Sequence, residues 1–218
     1  MATAKQKERA LFILDALVER FPDARCELDH DPNEPWTLLV AVVLSAQCTD
    51  AAVNKVTPAL FAAFPDVRAF ARASAGDVEP YIRTLGLFRN KAKGIVASAR
   101  IVVEEHGAKV PRARSALEEL PGVGKKSAAV IIANCFQVPA IAVDTHVGRV
   151  ARRLSLTRHE DPDKVELELS SLLPQERLLQ AHHTLIWHGR RICAARKPHC
   201  SECPVAPTCK KVGVEAWA

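Results

Sequence analysis

Long apolar stretches are missing from this 218-residue chain: the longest, Leu38 to Leu44, is far short of the roughly 20 residues that span a bilayer. A membrane-embedded helix is therefore excluded. The N-terminal Met1-Ala-Thr-Ala-Lys-Gln-Lys lacks the apolar core of a secretory leader, so the cytoplasm is the expected location. In that reducing compartment the seven cysteines are not expected to pair as structural disulfides. Alternating strand patterns bounded by hairpin turns are absent too, apart from Val138 to Val143, which could be extended. There is no long internal repeat, low-complexity tract or flexible linker.

What is present reads as helix after helix, and the expected fold class is all-α. Ala10, Leu11, Ile13, Leu14, Leu17 and Val18 recur at helical spacing among charged residues, and Phe21-Pro22 ends that segment. A second helix is expected from near Pro35, carrying Leu38 to Leu44. Asp50 to Phe64 continues helically despite Pro58. Three shorter amphipathic pieces follow, Asp66 to Ala73, Asp77 to Leu85 and Lys91 to His106, separated at Pro65, Gly76, Gly86 and Gly107. The length suffices to bury a substantial core without staples.

Charge is uneven. The net formal charge is +5, and between Trp187 and Lys211 six basic residues (Arg190, Arg191, Arg196, Lys197, Lys210, Lys211) face Glu202 alone, which equals the whole excess. Such asymmetry fits a polyanion partner; a solvated basic face is the alternative.

Ser115-Ala-Leu-Glu118 has the spacing of a capping box and predicts a short helix that Pro121-Gly122 must stop. A second helix is expected to start at Lys125 or Lys126 and run through Ala128-Ala-Val-Ile-Ile-Ala133. Gly122 and Gly124 permit positive φ and would expose backbone N–H groups beside the positive end of that helix. An anion is the natural ligand of such a turn, although an ordinary helix–helix turn would look similar. The fuller stretch Leu120-Pro-Gly-Val-Gly-Lys-Lys-Ser-Ala128 resembles the helix-hairpin-helix element of DNA-repair glycosylases, which grips phosphate without reading sequence.

Lys126 lies just past this turn. A lysine is nucleophilic only when neutral, and a site against a helix N-terminus, partly dehydrated by bound DNA, disfavours its charged form. Asp144, in Ile141-Ala-Val-Asp-Thr-His-Val147, precedes a helical pattern running to Leu154 and is a candidate N-cap. A carboxylate fixed at a helix start can also face a cleft.

Cys193, Cys200, Cys203 and Cys209 are spaced C-x6-C-x2-C-x5-C, which in a cytosolic protein implies a tetrathiolate metal site. The spacing alone leaves zinc and an iron–sulfur cluster both open. Cys26, Cys48 and Cys135 fall outside it and are expected in the core.

Together the hairpin, the Val-Asp-Thr-His stretch and the cysteine spacing resemble the endonuclease III family of bifunctional DNA glycosylase/AP lyases along essentially the whole chain. The resemblance implies Lys126 as nucleophile, Asp144 as its partner across a DNA-binding groove, and a [4Fe–4S] cluster on the four cysteines that presents Arg196 and Lys197 to phosphate. Gly122, Val123, Gly124 and Lys125 would hold the DNA backbone, with Arg149 and Arg190 as further contacts and His146 near the site. It further implies that Gln47 fills the gap left by a flipped base and that Leu87 is a wedge on the opposite strand; read without it, these are a helix-terminal amide and a core leucine. The implied architecture is a helical lobe over 28–138 and a second lobe from 1–27 plus 139–218. The implied partner is double-stranded DNA with damaged bases or abasic sites, met by a monomer on nucleoid DNA. Two other readings are an adenine- or mismatch-specific glycosylase of the same superfamily, against which Lys126 favours the bifunctional enzyme, and a non-catalytic DNA-binding module, which predicts salt-sensitive DNA affinity without covalent chemistry.

Overall fold

Side-chain caps start most of the helices. A computed structural model describes residues 2–218. Helix α1 (Ala4–Arg20) opens on a capping box between Thr3 and Gln6, and α2 (Pro35–Ser45) begins with proline at its first position, where the missing N–H costs nothing. Thr49 caps α3 (Asp50–Ala63), and Asp66 caps α4 (Val67–Arg72). Next come α5 (Ala75–Ile82), α6 (Phe88–Glu105), α7 (Arg114–Glu118), α8 (Lys125–Phe136), α9 (Thr145–Arg153), α10 (Pro162–Leu172) and α11 (Leu178–Arg191). Among the described residues there is no strand; residues 138–143 are irregular, not helical. No helix is long and apolar enough to cross a membrane.

Three starts differ from the sequence expectation. Helix α5 begins before Gly76, because a Ser74–Asp77 capping box sets its start and glycine is tolerated inside the first turn. Helix α6 begins three residues before Lys91, on Leu87 in the left-handed conformation. The Ser115 capping box does not form: Ala113 occupies the cap without a side-chain bond, and an Arg114–Glu118 pair at 2.9 Å braces the helix instead.

The chain divides into two compact units, residues 26–138 and residues 1–25 with 139–218. In the first, hereafter the hairpin unit, α2 is buried from Trp36 to Leu44. A helix apolar all round can only sit inside a bundle, and α3, α6 and α8 pack against it. Trp36 meets Phe70 edge-on at 5.7 Å, and Phe64 lies 5.0 Å from the same ring. In the second, hereafter the cysteine unit, α1, α9, α10 and α11 bury Ile13, Leu17, Val147, Val150, Leu169 and Leu185.

Candidate functional site

In the hairpin unit, Leu120 and Val123 are buried and anchor the turn between α7 and α8. The Val123 N–H donates to the Leu120 carbonyl at 3.0 Å, so this amide is engaged within the turn, not left for an external acceptor as the sequence suggested. Gly122 adopts φ +86, a conformation that favours glycine. Gly124 differs from expectation: it is extended, with φ −96 and ψ 178, and serves as the N-cap of α8. Because glycine has no side chain to cap with, the first-turn N–H groups of α8 receive no side-chain oxygen from the cap. The turn is supported from α6, where Ser98 Oγ donates to the Pro121 carbonyl at 2.8 Å. Gly94 lets that same carbonyl come close; a Cβ would meet it at 3.3 Å. Lys125 and Lys126 are the first two residues of α8, and both are exposed.

In the cysteine unit, Asp144 is the N-cap of α9, and its Oδ1 accepts from the N–H groups of His146 and Val147, both at 2.8 Å. Both bonds fall on one oxygen, so Oδ2 remains outside the cap. The stretch leading to it is fixed by the Ala142 carbonyl, 3.0 Å from Nδ1 of buried His182. Gly189 allows α11 to approach α9 closely: a Cβ there would lie 3.0 Å from Cβ of His146. His146 is half-buried, and burial pushes its imidazole below the usual range despite the opposing pull of Asp144.

Arg149, expected on DNA, is engaged internally. Its guanidinium donates to the carbonyls of Cys193 (3.1 Å), Thr145 (3.3 Å) and Gly189 (2.8 Å) and sits 3.2 Å from His146 Nδ1. With five N–H donors in all, Arg149 is a brace between α9 and the segment after α11. Arg190, Arg196 and Lys197 are exposed.

All four cysteines of the C-terminal spacing line one cavity, together with Leu154, Ile192 and Val214. Among the described residues no three His, Cys, Asp or Glu side chains converge on one point; the thiols stand around the cavity walls. Donors surround the sulfurs. The Lys211 N–H reaches Cys209 Sγ at 3.3 Å, Arg153 Nη1 reaches Cys193 Sγ at 3.4 Å, and His188 Nε2 lies 3.8 Å from Cys203 Sγ. Burial pushes the Cys203 and Cys209 thiols up, and the neighbouring cysteines add to this. Four thiolates here need positive charge among them, and this donor set suits a metal–sulfur centre.

Sequence reasoning missed the residue that shapes this cradle. Buried Arg153 donates to the carbonyls of Ala194 (2.6 Å) and Ala195 (2.9 Å), clamping the chain between the first two cysteines. Its only sequence trace is its place among the basic residues of the last turn of α9. Cys26, Cys48 and Cys135 are half-buried rather than core. Gln47 and Leu87 are both exposed, Leu87 at 55%, and each has φ near +57; Leu87 is thus not a core leucine. A cavity of about 1230 Å3 lined by Arg9, Arg152, Arg158 and Lys210 lies in the cysteine unit, and neither Lys126 nor Asp144 lines it.

Comparison with known proteins places these features in a family. Residues 40–175 match the HhH-GPD superfamily of base excision DNA repair proteins. Endonuclease III of Synechocystis sp. is 46% identical over 94% of each chain. That of Bacillus subtilis is 44% identical over 97% of this chain and 94% of its own. A solved structure of a trapped endonuclease III–DNA covalent intermediate superposes with a TM-score of 0.89 at 43% identity, covering 97% of both chains. With an all-helical fold, a glycine turn opening on two lysines, a capped aspartate and four gathered cysteines, this chain belongs to the endonuclease III family of the HhH-GPD base excision DNA repair superfamily.

Proposed function

We propose that the protein excises oxidised or otherwise damaged pyrimidines from duplex DNA and then nicks the strand at the resulting abasic site, acting as a monomer on nucleoid DNA. The observation that carries this reading is Lys126, an exposed amine in the first turn of a helix that opens on an uncapped glycine turn, in a chain so similar to an enzyme trapped covalently on DNA. A lysine at this place gives the chain a nucleophile as well as a grip.

The first-turn amides of α8 and Lys125 hold a backbone phosphate, helped by the positive end of that helix. The target nucleotide leaves the stack, since C1′ is hidden while its base remains paired. The neutral Lys126 amine attacks C1′, the bond to the base breaks, and the base departs with that electron pair and a proton. Opening of the sugar ring yields a Schiff base between Nζ and C1′; removal of a C2′ proton then expels the 3′ phosphate by β-elimination. Asp144, held at the head of α9 through Oδ1, offers Oδ2 to stabilise cationic sugar or to relay a proton. Cys193, Cys200, Cys203 and Cys209 would hold a [4Fe–4S] cluster, since such clusters are ligated by four cysteine thiolates and these four line one cavity. Bound there, it would supply folding energy to a segment poor in apolar side chains that carries Arg196 and Lys197 to phosphate, with Arg190 at the end of α11 as a further contact.

Borohydride trapping tests the nucleophile. Wild-type protein mixed with duplex carrying an oxidised pyrimidine should yield a covalent adduct, lost in Lys126→Ala and kept in Lys125→Ala. The reverse pattern would move the nucleophile to Lys125. Salt-sensitive binding with neither adduct nor released base would leave a DNA-binding module. Absorption at about 400 nm with iron and sulfide present supports the cluster; stoichiometric zinc in colourless protein contradicts it.

A further inference from the structure

One buried side chain lies outside everything assigned above. Lys91, in the first turn of α6, is 5% exposed, a rare state for lysine. Its Nζ donates to the Leu44 carbonyl at 2.8 Å and lies 3.1 Å from Cys48 Sγ. Leu44 belongs to the last turn of α2, whose carbonyls have no intrahelical partner and form the negative end of the helix. That turn contains no basic residue of its own. Lys91 supplies the missing cation from another helix.

The two acceptors flank the turn that carries Gln47, which Cys48 N–H closes onto the Ser45 carbonyl at 3.0 Å. At the other end of the residue, the Lys91 backbone N–H donates to the Leu87 carbonyl at 3.0 Å. One residue therefore bonds two turns with exposed, left-handed tips, Gln47 and Leu87. A non-glycine residue in that conformation is strained and persists only where its surroundings enforce it. Burying an ammonium is expensive next to an apolar side chain of similar length, so packing alone gives no reason for lysine here.

We propose that Lys91 is a positioning residue for duplex opening: it locks the Gln47 and Leu87 turns in one register so that both enter the helix together when a base is extruded. This rests on the excision reading above and adds a residue that touches neither DNA nor the reacting atoms.

The test uses the full-length, metal-loaded enzyme under single-turnover conditions on two substrates. One duplex carries 5-hydroxyuracil, whose base must be extruded; the other carries a pre-formed abasic site, which has none. Lys91→Met should slow base release roughly 10- to 100-fold, while nicking at the abasic site falls several-fold less. In a Gln47→Ala/Leu87→Ala background the additional loss from Lys91→Met should disappear, because nothing remains to be registered. A loss of equal size on both substrates, or one that persists in full in that background, would make Lys91 an ordinary stabilising residue and overturn the proposal. Should Lys91→Met not fold, Cys48→Ala removes one acceptor and leaves the amine on Leu44. It should show the same selective loss at smaller size, and unchanged rates on both substrates would refute the coupling. A wild-type enzyme that forms no adduct defeats the excision reading itself; an active wild type with a non-selective Lys91 variant defeats only the positioning role.

Discussion

The hairpin unit buries Trp36, Phe70, Ile82, Ile95 and Leu117 around a helix with no polar face. The cysteine unit has an apolar cluster as well, but its C-terminal third is held by other means. There Arg149 and Arg153 clasp backbone carbonyls between residues 189 and 195, and Arg9 donates to the Leu154 carbonyl at 2.6 Å. Beyond Ile192 only Pro198 and Val205 are buried, too little to order residues 193–218 by the hydrophobic effect. The first unit is ordered mainly by close apolar packing; the C-terminal segment of the second is held by charged hydrogen bonds from Arg149 and Arg153. The first is thus vulnerable to cavities and the second to loss of ligands or donors.

Breaking the packing should have the largest effect. Trp36→Ala empties a fully buried site and should lower stability by about 3–5 kcal/mol, read as the shift in the urea midpoint of helical circular dichroism, while absorbance at about 400 nm in native buffer persists. Bleaching of that absorbance without denaturant would show that sulfur-dependent order relies on the apolar core, erasing the contrast. Next comes Asp144→Asn. Asparagine caps a helix as well as aspartate, so stability should move by less than about 0.5 kcal/mol, whereas excision should fall about 100-fold or more because the charge is gone. A matching loss in the cap would appear as a lowered melting temperature; unchanged excision would remove Asp144 from the chemistry.

How much of this was legible follows from the range of each interaction. The Asp144 cap and the glycine turn were readable because their determinants lie within three or four residues: an aspartate before an amphipathic run, and glycine between two helical patterns. The burial of α2 was readable from its unbroken apolar run. Start sites failed where two local signals competed, as when Ser115 offered a cap that Ala113 took and Gly76 offered a break that the Ser74–Asp77 box overrode. Lys91, Arg149 and Arg153 could not be read at all. Each bonds a backbone carbonyl far away in the chain, at 47, 44 and 41 residues, and a carbonyl is the same whatever residue bears it, so the sequence carries no complementary mark. Arg149 was consequently expected on DNA, and Lys91 stood only as the start of an amphipathic helix.

A smaller effect should come from pH. Burial pushes His183 down to about 3, with neighbouring His182 adding to the shift. Unfolded, the same imidazole takes up a proton near its ordinary value of about 6.5. Between these values the unfolded chain binds more protons than the folded one, so stability falls as pH drops through that window and the group contributes nothing above it. From pH 7 to pH 5 the loss should be about 2 kcal/mol. His183→Leu should make the urea-midpoint profile shallower over that interval without abolishing its slope, because buried His188, pushed down to about 4, contributes in the same window; an equally steep profile in the variant would remove His183 from the acid sensitivity.

The gentlest test concerns which unit's cations meet DNA. Lys125 stands exposed beside the hairpin, while the Arg149 donors are held by Thr145, Gly189 and Cys193. A side chain that neutralises a phosphate releases counterions, so deleting it lowers the slope of log affinity against log salt concentration by about 1; a side chain turned inward leaves the slope unchanged. Lys125→Ala should therefore reduce the slope by about one, and Arg149→Gln should leave it within a few tenths of wild type. If Arg149→Gln also lowered the slope by a full unit, the guanidinium would have to leave its carbonyls when DNA binds, and the polar clamp of the cysteine unit would be a moving part of the interface instead of its fixed support.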